Sequence, residues 1–482
     1  MQTSKATRTL RSLLVAAIAL CTVGLAPSRA QAQWGPIAVT ADDIVGANGR
    51  LHELTIQTAS LPTPARVRVL LPVGYDDPAN ATARYPMLLL LHGASGNARD
   101  WTSKTDIAAT PTADGLIVVM PDGGSSGFYS DWNDGPAWET FHIRELIPWA
   151  DARYRTFGDR AHRGVAGLSM GGYGALAYAT RHPDLFVAAG SFSGAVDLAG
   201  LGIVEEQALK ALGLADDRRW GPYASNSATW KDHNPPDMLG NLGPLPIALF
   251  TGNGVPNAGD NPAAGFLEAG VWVMNTSLHT KATTQQVPIE YHDYGAGVHS
   301  WPYWQADLHA WLPTLLRNIA HPAALPAAFS YHTAEPRFSV WGWDFSVENP
   351  AKEDVALTAV SSKALTATGH GVLSAVTPPS FVPGATYVVP GADRPTFTAD
   401  ADGRLHLVMT IVPAAPTTLS ITAEPVATAA ENAARVASAE RTSALVEIPA
   451  TGMTPPLPAM ATLLVIALAF GIASRRSSHR AR

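Results

Sequence analysis

Between residues 51 and 322, short apolar runs alternate with longer stretches of helical character. This is the pattern of a mainly parallel sheet covered on both faces by helices, an α/β architecture. Strands are predicted at 67–71, 87–91, 116–120, 164–168, 245–251 and 287–291. Pro72, Tyr85-Pro86 and Pro121-Asp122-Gly123-Gly124 punctuate the first three. Helices are predicted at 138–149, 172–181, 266–278 and 304–319. The stretch 201–242 holds Trp220, Trp230 and several Gly and Pro without a clear period, and reads as an inserted cap. From residue 338 the pattern changes to strict alternation, as in Phe338-Ser339-Val340-Trp341-Gly342-Trp343 and His406-Leu407-Val408-Met409-Thr410-Ile411. That alternation predicts a small C-terminal β-sandwich over 335–425. Residues 426–447, rich in Ala, Thr, Ser and Glu, read as a spacer.

The two ends carry a different signal. Lys5, Arg8 and Arg11 precede an apolar run at 13–25 and then Ala30-Gln31-Ala32, the order of a secretory signal over 1–32. Near the other end, Ile448-Pro449-Ala450-Thr451-Gly452 precedes an apolar run at 457–473 and Arg475, Arg476, Arg480 and Arg482. That order resembles a Gram-positive sorting signal of the LPxTG type, with Ile in the first position. A plain membrane anchor fits 448–482 equally, because the basic flank suits retention on the cytoplasmic side. Sortase and the cell wall, or the membrane itself, are the partners these readings imply, and either one holds an exported body at the extracellular face of the envelope. The one cysteine, Cys21, falls in the signal. The mature chain therefore has no disulfide and no thiol nucleophile. Each end contributes four basic residues to a formal charge of −7, so the exported body carries about −15 and repels nucleic acid. Hydrolase and sandwich together suit a region from 33 to 425, the hydrolase filling 33–325.

Gly167-Leu168-Ser169-Met170-Gly171 follows a predicted strand and opens a predicted helix. That context is the sharp turn that presents a nucleophilic Ser, and it strengthens a motif that alone is weak. Ser needs a base in hydrogen-bond reach and an acid to orient that base. His299, in the loop after the last core strand, is the best placed of 15 histidines. Two acids follow the strand at 245–251, Asp260 and Glu268, and pattern alone does not separate them. The oxyanion donors expected are the N–H groups of Met170, next to the nucleophile, and of Ala94, in the small-residue loop after Leu88-Leu89-Leu90-Leu91-His92-Gly93. His92 is a substrate-binding candidate. Nothing in the sequence calls for a metal or an organic cofactor.

Several segments resemble, in the same order, the esterase family of α/β-hydrolases that includes esterase D and the antigen 85 mycolyltransferases. They are Met120-Pro121-Asp122-Gly123-Gly124, Phe128-Tyr129-Ser130-Asp131-Trp132, Trp138-Glu139-Thr140-Phe141, Gly167-Leu168-Ser169-Met170, Gly252-Asn253-Gly254, Phe266-Leu267-Glu268 and His299-Ser300-Trp301-Pro302-Tyr303-Trp304. The likeness spans roughly residues 50–318 and implies an α/β-hydrolase fold. It also implies Glu268 as the acid, with Asp260 the alternative, and Trp301 as a sugar-binding aromatic. One departure stands out: where the mycolyltransferases have Asp-Gly-Leu-Arg, whose Asp and Arg help hold trehalose, this chain has His92-Gly93-Ala94-Ser95.

The function expected is therefore ester hydrolysis through an acyl-enzyme, on an acyl ester or glycolipid. Acyl transfer to a sugar or glycerol hydroxyl is the second expectation, and an inactive wall-attached binding protein the third.

Overall fold

The computed structural model describes residues 37–422 except Ala47, residues 349–352 and Ala414. The signal expected over 1–32, the spacer at 426–447 and the tail at 448–482 lie outside the described residues. No helix among the described residues is long and apolar enough to cross a membrane.

A nine-stranded sheet forms the centre of the larger part, in the order β1-β2-β3-β5-β4-β6-β7-β8-β9. Its strands are β1 Ala38–Val45, β2 Leu51–Gln57, β3 Ala65–Leu70, β4 Met87–Leu91, β5 Ile117–Pro121, β6 Arg163–Leu168, β7 Ala188–Phe192, β8 Ile247–Thr251 and β9 Ile289–Asp293. The first three pair antiparallel, and β5 through β9 run parallel. Helices α1 Asp100–Lys104, α2 Ile147–Arg153, α3 Met170–Arg181, α4 Ile203–Ala211, α5 Asp217–Trp220, α6 Tyr223–Asp232, α7 Pro262–Thr284 and α8 Trp301–Ala320 cover it. Strands β4 through β8 are buried along their whole length, which is why β4, β5 and β8 read as apolar runs. Two apolar clusters, one on each face, hold the layers together. One gathers Leu89, Leu91, Val165, Tyr173, Leu176 and Leu249 under α3; the other gathers Leu88, Leu90, Ala166, Phe192, Trp311 and Leu312 under α8.

The smaller part is built from strands β10 Phe329–Thr333, β11 Arg337–Val340, β12 Trp343–Glu348, β13 Val355–Ser361, β14 Ala364–Thr368, β15 Gly371–Val376, β16 Thr386–Val388, β17 Thr396–Thr398, β18 His406–Ile411 and β19 Thr417–Ser420. They form two four-stranded antiparallel sheets, β10-β13-β14-β19 and β11-β12-β15-β18, with β16 and β17 as a separate hairpin. Tyr331, Leu357, Leu365 and Leu419 of one sheet share a core with Phe345, Leu373, Leu407 and Met409 of the other. Alternate residues of each strand enter that core, as a sandwich requires.

Candidate active site

Strand β6 ends at Leu168 and α3 begins at Met170, so the chain reverses within one residue. Ser169 makes that reversal with φ +52° and ψ −117°, a conformation that costs a residue with a Cβ and persists only where its surroundings fix it. Three backbone hydrogen bonds fix it: Ser169 donates to the Phe192 carbonyl at 2.9 Å, and its own carbonyl accepts from Tyr173 at 3.0 Å and Ala195 at 3.2 Å. The flanking glycines leave the space. A Cβ on Gly171 would run into the Leu91 carbonyl oxygen, and one on Gly167 into the backbone of Gly171.

His299 sits in the loop between β9 and α8, tied down by its N–H donating to the Ala264 carbonyl at 3.2 Å. Its Nε2 lies 2.9 Å from Ser169 Oγ and its Nδ1 lies 2.8 Å from Glu268 Oε2. A carboxylate only accepts, so Nδ1 carries the proton and Nε2 is free to accept from the Ser hydroxyl. Glu268 lies in the second turn of α7, whose start is fixed by Pro262 and by Asn261 Oδ1 accepting from the Ala263 N–H at 3.0 Å. The Glu268 side chain has no exposed surface. Its Oε1 accepts from Ser193 Oγ at 2.8 Å, the Gly252 N–H at 2.8 Å and Thr251 Oγ1 at 3.3 Å. Those donors take the place of water around a buried charge.

The loop after β4 lies against this serine. A Cβ on Gly93 would fall 2.5 Å from Leu168 Cδ1 and 3.3 Å from Ser169 Cβ, so the loop passes in close contact with the end of β6 and the serine. Ser95, with φ +58°, donates its N–H to the Ser125 carbonyl at 2.7 Å, and the Gly96 N–H donates to the Gly93 carbonyl at 3.1 Å. Among the described residues the N–H groups of Ala94 and Met170 have no protein acceptor. Met170 has none because it opens a helix.

Residues 58–315 match the family described as "Putative esterase". The chain belongs to this family. Esterase Rv1288 of Mycobacterium tuberculosis (strain ATCC 25618 / H37Rv) is 41% identical over 155 residues, which are 31% of this chain and 33% of that protein. The chain thus spans about a third of the length of that relative. Diacylglycerol acyltransferase/mycolyltransferase Ag85A of the same organism is 32% identical over 302 residues, 57% of this chain and 85% of Ag85A. Among solved structures, Mycobacterium tuberculosis MPT51 (FbpC1) aligns with 58% of this chain and 99% of its own, at 21% identity and a TM-score of 0.46.

Of the remaining residues singled out in this esterase-family sequence, Asp260 lies apart from His299. Its Oδ2 accepts from Tyr303 Oη at 2.6 Å and from the Asn257 N–H at 2.8 Å, so the structure gives the place beside His299 to Glu268. His92 differs from its expected role as a substrate-binding candidate. It is 1% exposed, its Nδ1 donates to the Gly93 carbonyl at 2.7 Å, and its Nε2 accepts from the Gly123 N–H at 2.9 Å. Both ring nitrogens serve the loop and none is left for a substrate; burial holds its pKa below the usual histidine value. Trp301 is half-buried, edge-on to Trp101 at 5.4 Å and to Trp304 at 5.2 Å, with Lys104 Nζ 4.9 Å from its ring centre.

Sequence reasoning passed over Ser193, Thr251 and Asp307. Nothing in a lone Ser or Thr marks it as a donor to a buried carboxylate; only the proximity of β7, β8 and α7 does. One group of described residues, Asp232, His233 and Glu335, brings three potential metal ligands within 4.8 Å of one another. A guanidinium already fills it: Arg181 binds Asp232 Oδ2 and lies 3.5 Å from Glu335 Oε1, while His233 Nδ1 donates to the Thr229 carbonyl.

Proposed function

We propose that this protein is a serine carboxylic-ester hydrolase, exported and held at the outer face of the cell envelope. The observation that carries the reading is the continuous line Ser169 Oγ, His299 Nε2, His299 Nδ1, Glu268 Oε2, with both gaps at hydrogen-bond length. In this reading Ser169 attacks the ester carbonyl while His299 takes its proton, forming a tetrahedral oxyanion. The N–H groups of Met170 and Ala94 hold that oxyanion. Glu268 holds the imidazole in the Nδ1–H tautomer and stabilises the imidazolium. His299 then protonates the leaving alcohol, and a water activated by the same imidazole releases the acid from Ser169. Every step uses side chains or backbone of the chain itself.

The similarity to Ag85A supports a second reading, transfer of the acyl group to a sugar or glycerol hydroxyl. The sequence His92-Gly93-Ala94-Ser95, with His92 turned inward to serve its own loop, favours water. Envelope attachment rests on the residue order at the two ends, with sortase or the membrane as the implied partner.

Purified enzyme is expected to turn over short acyl esters and to react with a fluorophosphonate at Ser169. Ser169→Ala should lower turnover by several orders of magnitude, as loss of one member of such a unit does. Unchanged turnover in that variant would remove the nucleophile assignment. Acyl transfer would appear instead as labelled acyl chains leaving as sugar or glycerol esters in preference to free acid.

A further inference from the structure

The β-rich part grips the far end of the helix that Ser169 begins. Arg181 is the last residue of α3, and its carbonyl is one of those a helix leaves without a partner. Tyr331 of β10 supplies that partner, its Oη donating at 2.8 Å. The Arg181 side chain is 8% exposed and sits among three carboxylates. Its Nε faces both Glu139 oxygens at 3.0 and 3.1 Å, its Nη1 donates to the carbonyl and carboxylate of Asp232, and its Nη2 reaches Glu335, in the turn between β10 and β11, at 3.5 Å. The same turn returns a bond: the Ala334 N–H donates to Asp232 Oδ1 at 2.8 Å. Beside it, the Asn241 amide pairs with both backbone groups of His332, at 2.9 and 3.0 Å.

From Arg181 a path of buried contacts leads to the loop that carries Ala94. Glu139 stands immediately before the π-helical run Thr140–Leu146, which holds His142. His142 Nδ1 accepts from Tyr178 Oη at 2.7 Å, and its Nε2 donates to the Asp122 carbonyl at 2.8 Å. The next residue, Gly123, donates its N–H to His92 Nε2, and His92 Nδ1 in turn donates to the Gly93 carbonyl. Tyr129 Oη donates to the His92 carbonyl at 2.8 Å. Both histidines have one donor and one acceptor nitrogen, each matched to a single partner, so neither ring can turn over without breaking two buried bonds.

We propose that Arg181 is a positioning residue for the oxyanion loop, and that the β-rich part, by docking on it through Tyr331 and Glu335, belongs to the catalytic scaffold. Such a part has no need of a ligand of its own to affect turnover. The inference rests on the reading of Ser169 and its loop as the site of ester chemistry. Its effect falls on the stabilisation of charge that appears only in the transition state, and so on kcat and not on KM.

The test uses the full chain carrying Tyr331→Phe, Glu335→Gln or both, with Ser169→Ala as control. Each is assayed on a p-nitrophenyl ester well below its own Tm, with folding checked by circular dichroism. The expected result is kcat lowered by about 2- to 30-fold, the range of coupling through packed networks, with KM unchanged. Fluorophosphonate should still label Ser169 to full stoichiometry, only more slowly. A folded double variant with wild-type kcat and a lower Tm would overturn the proposal, leaving the β-rich part a stabilising role alone. Should the double variant fail to fold, Tyr331→Phe, which removes one oxygen atom, decides by the same two outcomes. Failure of the underlying reading looks different: the wild type has no esterase activity, or Ser169→Ala keeps it.

Discussion

Asp307 shows what a single side chain costs near this site. It lies on α8, is 5% exposed, and its Oδ2 has no hydrogen-bond partner among the described residues. One turn earlier on the same helix, Trp304 packs edge-on against His299 at 4.9 Å, and its indole N–H is equally without a partner. Burial, and then the negative charge of Glu268, push the Asp307 carboxyl well above its usual 3.8. The folded protein thus keeps a proton that the unfolded chain has released. Because the native state binds more protons, stability falls as pH rises from about 3.8 towards the raised pKa. Asp307→Asn keeps the shape and needs no proton, so it should raise Tm at pH 8 by more than at pH 4. Calorimetry at the two pH values checks this, and equal shifts at both would count against it. The sequence offers no hint of this group, since an Asp on an amphipathic helix normally faces water. Ser169 and His299 were legible because a glycine-bounded turn and a loop position mark them. Glu268 was not separable from Asp260 by pattern, because the choice depends on how far α7 runs before its second turn meets His299.

At the scale of elements, the strand-turn-helix β6-Ser169-α3 depends on close approach between backbones. A Cβ on Gly171 would meet the carbonyl oxygens of Leu91 and, at 2.6 Å, His92. Backbone oxygens cannot swing aside as a side chain would. Gly171→Ala should therefore separate α3 from β4 and cost about 1–3 kcal/mol, the usual range for overpacking. It should also lower turnover, because Leu91 and His92 lead into the Ala94 loop. Denaturant unfolding and ester turnover measured on one preparation check both parts; a neutral change in each would show that the two backbones part easily. Fully buried strands such as β4, with the run Met87–Leu91, were plain in the sequence. Strand β7 was not seen, for its Ala188-Ala189-Gly190-Ser191-Phe192 is too small-sided to register as an apolar run. Strand β1 escaped for another reason: it is mostly exposed, and Thr40, Asp42 and Asp43 interrupt its apolar residues. The stretch 201–242 has no clear period because it holds three short α-helices and two 3-10 turns, α6 being broken at Asn226 by φ −131°. The predicted helix at 138–149 starts α-helical at Trp138 and Glu139, is π-helical over Thr140–Leu146 and returns to α-helix from Ile147, a distinction that spacing of apolar residues does not carry.

At the scale of the whole molecule, the question is whether the two parts unfold together. Separate parts of one chain move and melt independently unless their interface is extensive or demanding. This interface is demanding because of what its loss would leave behind. Undocking would strip the buried Asp232 carboxylate of the Ala334 N–H, and would leave the Arg181 carbonyl without Tyr331 Oη. It would also free Asp184 Oδ2 from the Trp341 N–H at 2.9 Å, and the Trp341 ring from the Arg160 guanidinium, 5.4 Å from its centre. A buried group that loses its partner costs on the order of 1–3 kcal/mol, and more when charged. Several such losses together amount to a large share of the 5–15 kcal/mol by which a domain is stable. Calorimetry of the full chain should therefore show one transition, with calorimetric and van 't Hoff enthalpies equal. Glu335→Gln weakens one contact and should lower the Tm of that single transition without splitting it. Two resolved peaks in the wild type would mean that these bonds open before either core does, and that the β-rich part is carried by the hydrolase without being built into it.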